Sequence, residues 1–209
     1  MTTLEEPSPQ KRQQILRGAE RVFTESGFEG ASMSRIAAEA GVSKGTLYNY
    51  FTSKSDLFAA FMQQRMDATL SHIFDGVGDE AELGDTLHGI GMRIMQLLLS
   101  PPNLVLYRIM ISEAGRFPHL ARLYWQAGPE RALRHMAGWV ADQVAQDRLR
   151  TDDVQLAAEQ FFALCQTKIS LRCRLLLEQD PPHAEMDRVV TGAVRLFLNS
   201  YGSSGPQRP

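Results

Sequence analysis

The chain has 209 residues, 44% of them hydrophobic and 22% charged, with a formal net charge of −2. That length supports one or two domains with a substantial core, and the composition is that of a soluble globular protein rather than a disordered or fibrous one. No apolar run approaches the ~18 residues of a membrane span, and the polar, acidic start MTTLEEPSPQ does not read as a signal peptide, so a cytoplasmic protein without a membrane partner is expected. A total charge near zero does not exclude nucleic acid, because the electrostatic footprint of a DNA-binding module is local.

Taken in chain order, almost everything follows helical spacing, with no sustained period-two alternation and no internal repeat. An all-α protein is predicted. Residues 1–9 and 203–209 read as flexible tails. The first helix runs from Gln10 to Ser26, with Ile15, Ala19, Val22 and Phe23 on one face. Gly27 stops it, and Phe28 packs back under its end. Ser32 caps a second helix with Met33, Ile36, Ala37 and Ala40 inward. Gly41 permits a sharp turn, and Ser43 caps a third helix that runs to Phe51. Ser53 and Asp56, at capping-box-like spacing, open a fourth helix carrying Leu57, Phe58, Phe61 and Met62 and reaching toward Phe74. After DGVGDE (75–80) come helices at Leu83–Leu99, ended by Ser100-Pro101-Pro102, and at Asn103–Ala114. A shorter helix through Trp125 follows, then one opening at Pro129 and running to Asp147. The last two cover Asp153–Glu178 and His183–Tyr201.

The stretch SKGTLYNYF (43–51) is an odd mixture for a packed helix. At 100° per residue Leu47 and Phe51 share the inward side, while Gly45, Thr46 and Asn49 point away and Lys44, Tyr48 and Tyr50 lie on the shoulders. A small centre with donors at the edges suits a helix pressed into a DNA groove. There Gly45 admits the backbone and Thr46 and Asn49 touch base edges, while Lys44, Tyr48, Tyr50 and Lys54 reach phosphates. Lys54 also lies in the first turn of helix four, where free amides add to the pull on an anion. Taken alone, the stretch is equally consistent with a short exposed helix whose tyrosines cover apolar surface. The preceding SMSRIAAEAGV adds the helix and tight glycine turn of a helix-turn-helix over residues 32–51.

The segment ILRGAERVFTESGFEGASMSRIAAEAGVSKGTLYNYFTSKSDLFAAF resembles the N-terminal domain of the TetR family of transcriptional regulators. Ala19, Phe23, Gly27-Phe28, Ile36-Ala37, Ala40-Gly41-Val42, Gly45-Thr46-Leu47-Tyr48, Phe51, Lys54 and Leu57 carry the likeness. It implies a DNA-binding domain over residues 10–61 and a helical ligand-sensing and dimerisation domain over 62–202. It also implies a double-stranded DNA operator as partner, contacted by Ser32, Ser34, Ser43, Lys44, Gly45, Thr46, Tyr48, Asn49, Tyr50 and Lys54. Arg35 is open between a phosphate contact and a surface charge.

The last two helices are apolar on two sides, which makes them either central to their own domain or shared with a second subunit. The resemblance implies sharing, as a four-helix bundle of a homodimer. Leu171, Leu175, Met186, Val190, Val194, Phe197 and Tyr201 are the expected interface. The middle region holds Met92, Met95, Tyr107, Met110, Phe117, Tyr124 and Trp125, a set that suits an adaptable apolar pocket as well as plain core packing. With Phe161, Cys165 and Lys168 they form the candidate site for a small-molecule effector. RIMISEAGRFPHLARLYWQAGPERAL is similar to the C-terminal domain of the AefR-like TetR subgroup. Cys165, Lys168 and Arg172 share one side of an ideal helix, and the two cations either receive an anionic head group or pair with acids across a dimer interface.

Catalysis is not expected. The five histidines lack HxxxH or HExxH spacing, there is no CxxC, and GxSxG, Walker and dinucleotide motifs are absent. No metal or other cofactor is expected. Cys165 and Cys173, separated by roughly 12 Å of helix rise, are too far apart for a bridge within one helix and read as buried thiols.

Overall fold

The computed structural model of the chain describes residues 8–74 (the side chains of 68–72 excepted) and 82–203. Residues 1–7 and 204–209 of the expected tails and the whole DGVGDE break lie outside the described residues. Ten α-helices occur among the described residues, with no strand: α1 Pro9–Gly30, α2 Met33–Glu39, α3 Lys44–Tyr50, α4 Lys54–Ile73, α5 Leu83–Leu99, α6 Pro101–Glu113, α7 Pro118–Ala127, α8 Pro129–Ala145, α9 Val154–Arg174 and α10 His183–Tyr201. No single one of them is long and apolar enough to cross a membrane.

Two compact units divide the chain, and they do not follow its linear order. The first takes residues up to Asp67 together with Val105–Ala127; the second takes 68–104 and the described residues from Gly128 onward. The unit boundaries fall inside α4 and α6. The segment 105–127, expected in the sensing domain, thus packs with the N-terminal helices.

The first unit is built on phenylalanine. Phe23, Phe28 and Phe58 are fully buried, with Phe61 and Phe117 beside them, and ring centroids lie 4.8 Å (Phe23–Phe58), 5.1 Å (Phe28–Phe58) and 4.8 Å (Phe28–Phe117) apart in edge-on arrangements. Such pairs add about 0.5–1.5 kcal/mol each beyond their burial. Ile15, Ile36, Leu47, Leu57 and Met62 complete this core. The second unit packs α5, α8, α9 and α10 around Leu87, Ile90, Met95, Met136, Phe161, Val190 and Phe197. Gly91 is required there, since a Cβ would sit 2.7 Å from Val190 and 3.2 Å from the Cys165 sulfur.

Three of the element ends that differ from expectation have a local reason. α1 continues to Gly30 because Gly27 takes a left-handed φ of 68° and the chain resumes one more turn. Pro101 and Pro102 open α6 rather than only ending α5, as their missing N–H groups cost nothing in a first turn. α9 stops at Arg174 because Leu176 adopts φ 60° and the Leu177 N–H returns to the Arg172 carbonyl. This is the closure usually made with glycine.

α9 is also broken at Thr167 (φ 36°, ψ −152°). Cys165, Lys168 and Arg172 therefore do not share one side: Cys165 is buried, while the Lys168 side chain is 66% exposed. Both cations face acids of their own chain. Arg172 donates to Glu185 (3.1 and 3.2 Å) and to Glu178, and Lys168 lies 3.9 Å from Glu185. Hydrogen bonding to Arg172 holds the Glu185 carboxyl below its usual range.

A left-handed conformation costs a residue with a side chain roughly 1–2 kcal/mol. Leu176→Gly is therefore expected to stabilise the fold by about 1 kcal/mol, raising the thermal midpoint by about 2–4 °C in a chain of this size. A calorimetric midpoint unchanged or lowered would show that the exposed Leu176 side chain contributes more than its backbone costs.

Candidate nucleic-acid interface

The helix-turn-helix is assembled by α1. Gly41 turns the chain at φ 63°, and the N–H groups of Ala40, Gly41 and Val42 close back on Ile36, Ala38 and Ala37. One ridge of α1 then grips that turn. Gln14 Nε2 donates to the Ala40 carbonyl at 2.7 Å, and Arg21 reaches both the Glu39 carboxylate (2.5 Å) and the Glu39 carbonyl (2.9 Å). Between them Gly18 lies so close that a Cβ would fall 2.7–2.8 Å from the N, Cα and Cβ of Ala40. Glycine inside a helix costs roughly 1 kcal/mol relative to alanine, and the backbone approach explains it. Sequence reasoning passed over Gln14, Gly18 and Arg21. The signal was the mid-helix glycine with polar residues four before and three after it.

The α3 helix is capped as expected. Ser43 Oγ accepts from the Thr46 N–H at 3.0 Å and lies 2.8 Å from Thr46 Oγ1, so these two hydroxyls first serve each other. Leu47 is fully buried and Phe51 nearly so. Outward lie Lys44, Gly45, Tyr48 and Asn49, all exposed, with Ser32 and Ser34 exposed on α2. Ser32 also caps α2, accepting from the Arg35 N–H at 3.2 Å. Lys44 has no ion-pair partner among the described residues. Gly45 has room around it, the nearest atom to an added Cβ being Ser43 Oγ at 3.8 Å. Nothing inside the chain asks for glycine there, in contrast to Gly18.

Three candidates turn out to have internal duties. Tyr50 is half-buried, and its phenol oxygen accepts the Ser8 N–H at 2.7 Å, tying the end of α3 to the start of α1. Lys54 Nζ donates to the carbonyls of Glu29 (3.2 Å) and Ala31 (2.9 Å) and sits 4.6 Å from the Phe28 ring centroid, leaving one N–H for any phosphate. Arg35 is paired with Glu25 (2.6 Å) and bonded to Ser26, so it is a surface ion pair here. At the start of α4, Ser53 Oγ accepts the Asp56 N–H at 3.0 Å. Hydrogen bonds from Thr52 and Ser53 keep the Asp56 carboxyl below its usual range.

The ten effector-site candidates divide between the two units. Tyr107, Met110, Phe117, Tyr124 and Trp125 belong to the first unit, where Met110 is buried and Trp125 is 49% exposed. Met92, Met95, Phe161 and Cys165 are buried in the core of the second unit, and Lys168 lies on its surface. Burial pushes the Cys165 thiol up to about 12. Of the interface candidates, Val190 and Phe197 are fully buried in their own chain and Met186 and Val194 nearly so, whereas Leu171 and Leu175 are exposed. The Tyr201 hydroxyl donates to Gln160 at 2.5 Å in the same chain. Leu176, Leu177 and Leu196 are exposed as well.

Residues 15–61 match the model for bacterial regulatory proteins of the tetR family. Residues 85–203, more than half of the chain, match that for the AefR-like transcriptional repressor C-terminal domain. The chain belongs to the TetR family of transcriptional regulators. Among solved structures, the flavonoid-responsive regulator FrrA is 31% identical, with a TM-score of 0.84 over 95% of this chain and 100% of that one. A chain from Mesorhizobium loti MAFF303099, described as a TetR-family transcriptional regulator, is 27% identical with a TM-score of 0.86 over 95% and 100%. The HTH-type transcriptional activator FasR of Mycolicibacterium smegmatis is 40% identical over 67 residues, 32% of this chain and 31% of FasR. The chain thus aligns with about a third of the length of the curated relatives it resembles. The helix-turn-helix of α2 and α3 lies inside the residues that match the family's N-terminal model.

The two glycines make opposite predictions. Gly18→Ala must push α1 from the turn and is expected to destabilise the fold by about 1–3 kcal/mol. Gly45→Leu is expected to leave the thermal midpoint within a few degrees of wild type while abolishing specific DNA binding. Equal melting and equal DNA affinity for Gly45→Leu would mean that α3 does not approach DNA through this face.

Proposed function

We propose that the protein is a homodimeric repressor that reads a palindromic operator and is released from it by a small-molecule effector. The observation that carries the DNA-reading part is the outward face of α3. It offers at Lys44 a cation with no ion-pair partner among the described residues, an open backbone at Gly45, and exposed hydrogen-bonding groups at Tyr48 and Asn49. In this reading Lys44, Tyr48 and the remaining N–H of Lys54 contact phosphates, Thr46 and Asn49 read base edges, and Ser32, Ser34 and Ser43 contact the backbone of the flanking strand. Tyr50 supports the helix end and offers only its hydroxyl proton.

Dimerisation is supported by the exposed leucines of the α9 end and of α10: Leu171, Leu175, Leu176, Leu177 and Leu196. An apolar surface of this kind calls for a partner, and a two-fold dimer doubles the contacts of one small recognition helix. The effector would act through its differential affinity for two spacings of the recognition helices. FrrA is flavonoid-responsive, so planar polyphenols are the first compounds to screen. The relative FasR is an activator, which supports activation as a second reading; a promoter fusion with and without the gene separates the two. A helical ligand-binding protein with a vestigial DNA module is the alternative outside this class, and it predicts no salt-sensitive DNA binding.

Fluorescence anisotropy on the upstream DNA of its own gene, titrated with salt, tests the reading. Wild type should bind with a steep salt slope, and Lys44→Ala should weaken binding to every sequence alike and reduce that slope by about 2, one phosphate contact being lost from each protomer of the dimer. Absence of any preference over random DNA would favour the vestigial module. Leu171→Glu with Leu175→Glu is expected to shift the sedimenting species from dimer to monomer, with unchanged helical content by circular dichroism.

A further inference from the structure

Glu113 is an acid in a place that electrostatics disfavours. It is the last residue of α6, where the helix dipole is negative and a carboxylate is unfavourable by roughly 0.3–1 kcal/mol. It is also only 9% exposed. Its surroundings supply the reason. The carboxylate oxygen Oε1 accepts the Glu29 N–H at 3.4 Å, across 84 positions of sequence, and a Cβ on Gly27 would lie 3.9 Å from the same oxygen. Gly27 is where α1 leaves helical geometry, so Glu113 sits over the break and takes an amide just beyond it.

The same residue is held twice more. The Glu29 carbonyl accepts from Lys54 of α4, and the Glu29 carboxylate receives Arg116 at 3.1 Å. Phe117 stacks edge-on against Phe28, one position earlier. Glu29 is thus gripped at its N–H, its carbonyl and its side chain, and three residues later Ser32 caps α2. All of these groups belong to the first compact unit.

We propose that Glu113 is a positioning residue for DNA reading: it ties the 105–127 segment to the corner from which the helix-turn-helix departs. A displacement of the α6 end would then reach α2 and α3 through Glu29 without passing along α4. The proposal rests on the DNA-reading role of α3.

The test uses the full chain with Glu113→Leu and Glu113→Gln. Both remove the charge, but only glutamine keeps an oxygen that can accept the Glu29 N–H. Glu113→Leu should raise amide exchange at residues 28–32 at least tenfold and weaken specific DNA binding by about tenfold or more, the loss of a hydrogen bond to a charged group. Glu113→Gln should stay within about threefold of wild type in both, as partial compensation by a neutral acceptor allows. Unchanged exchange at 28–32 in Glu113→Leu overturns the proposal whether or not DNA binds. So does a Glu113→Gln variant as impaired as Glu113→Leu, since the hydrogen bond would then not be what matters. Faster exchange with full DNA affinity also overturns it, because the corner would be loosened without consequence for reading. If wild type binds no DNA specifically while Glu113→Leu still loosens the corner, the DNA-reading role fails, and the positioning role with it.

Discussion

The direction in which α3 points depends on how closely the backbone of α1 can approach the end of α2. At Gly18 that distance leaves no space for a methyl group against Ala40. Gln14 and Arg21, one turn before and after, convert the contact into a fixed orientation by bonding the terminal carbonyls of α2. Helix ends normally leave such carbonyls to water. Here they become attachment points, so a seven-residue helix too short to be stable alone inherits its position from a longer one.

A second layer of restraint acts on the other side of the helix-turn-helix. The corner at residues 27–31 is fastened by Lys54 from α4 and by Glu113 and Arg116 from the segment that follows α5. Its hydrophobic counterpart is Phe28, surrounded by Phe23, Phe58 and Phe117. The unit that carries the helix-turn-helix therefore includes residues far along the chain.

Helical periodicity, the cap residues Ser32, Ser43 and Ser53, and the glycine turn at Gly41 were legible in the sequence because each is a local signal with a local cause. The outward set of Lys44, Gly45, Tyr48 and Asn49 was legible for the same reason. What could not be read was tertiary. Lys54 and Tyr50 look like phosphate contacts on a helical wheel, but their polar ends are engaged by backbone groups 23 to 42 positions away. The end of α9 was missed because a leucine takes the conformation usually left to glycine. The broad apolar stripes of α9 and α10 mixed two populations, core residues such as Val190 and Phe197 and exposed ones such as Leu171 and Leu175. Period alone does not separate these.

The buried thiols have a practical consequence. Cys165 and Cys173 are free and have no solvent exposure, and reagents attack the thiolate, which burial of Cys165 disfavours. The native protein is therefore nearly silent toward maleimides and methanethiosulfonates. A cysteine introduced at an exposed position would carry a spin or fluorescent label without removing the natural ones.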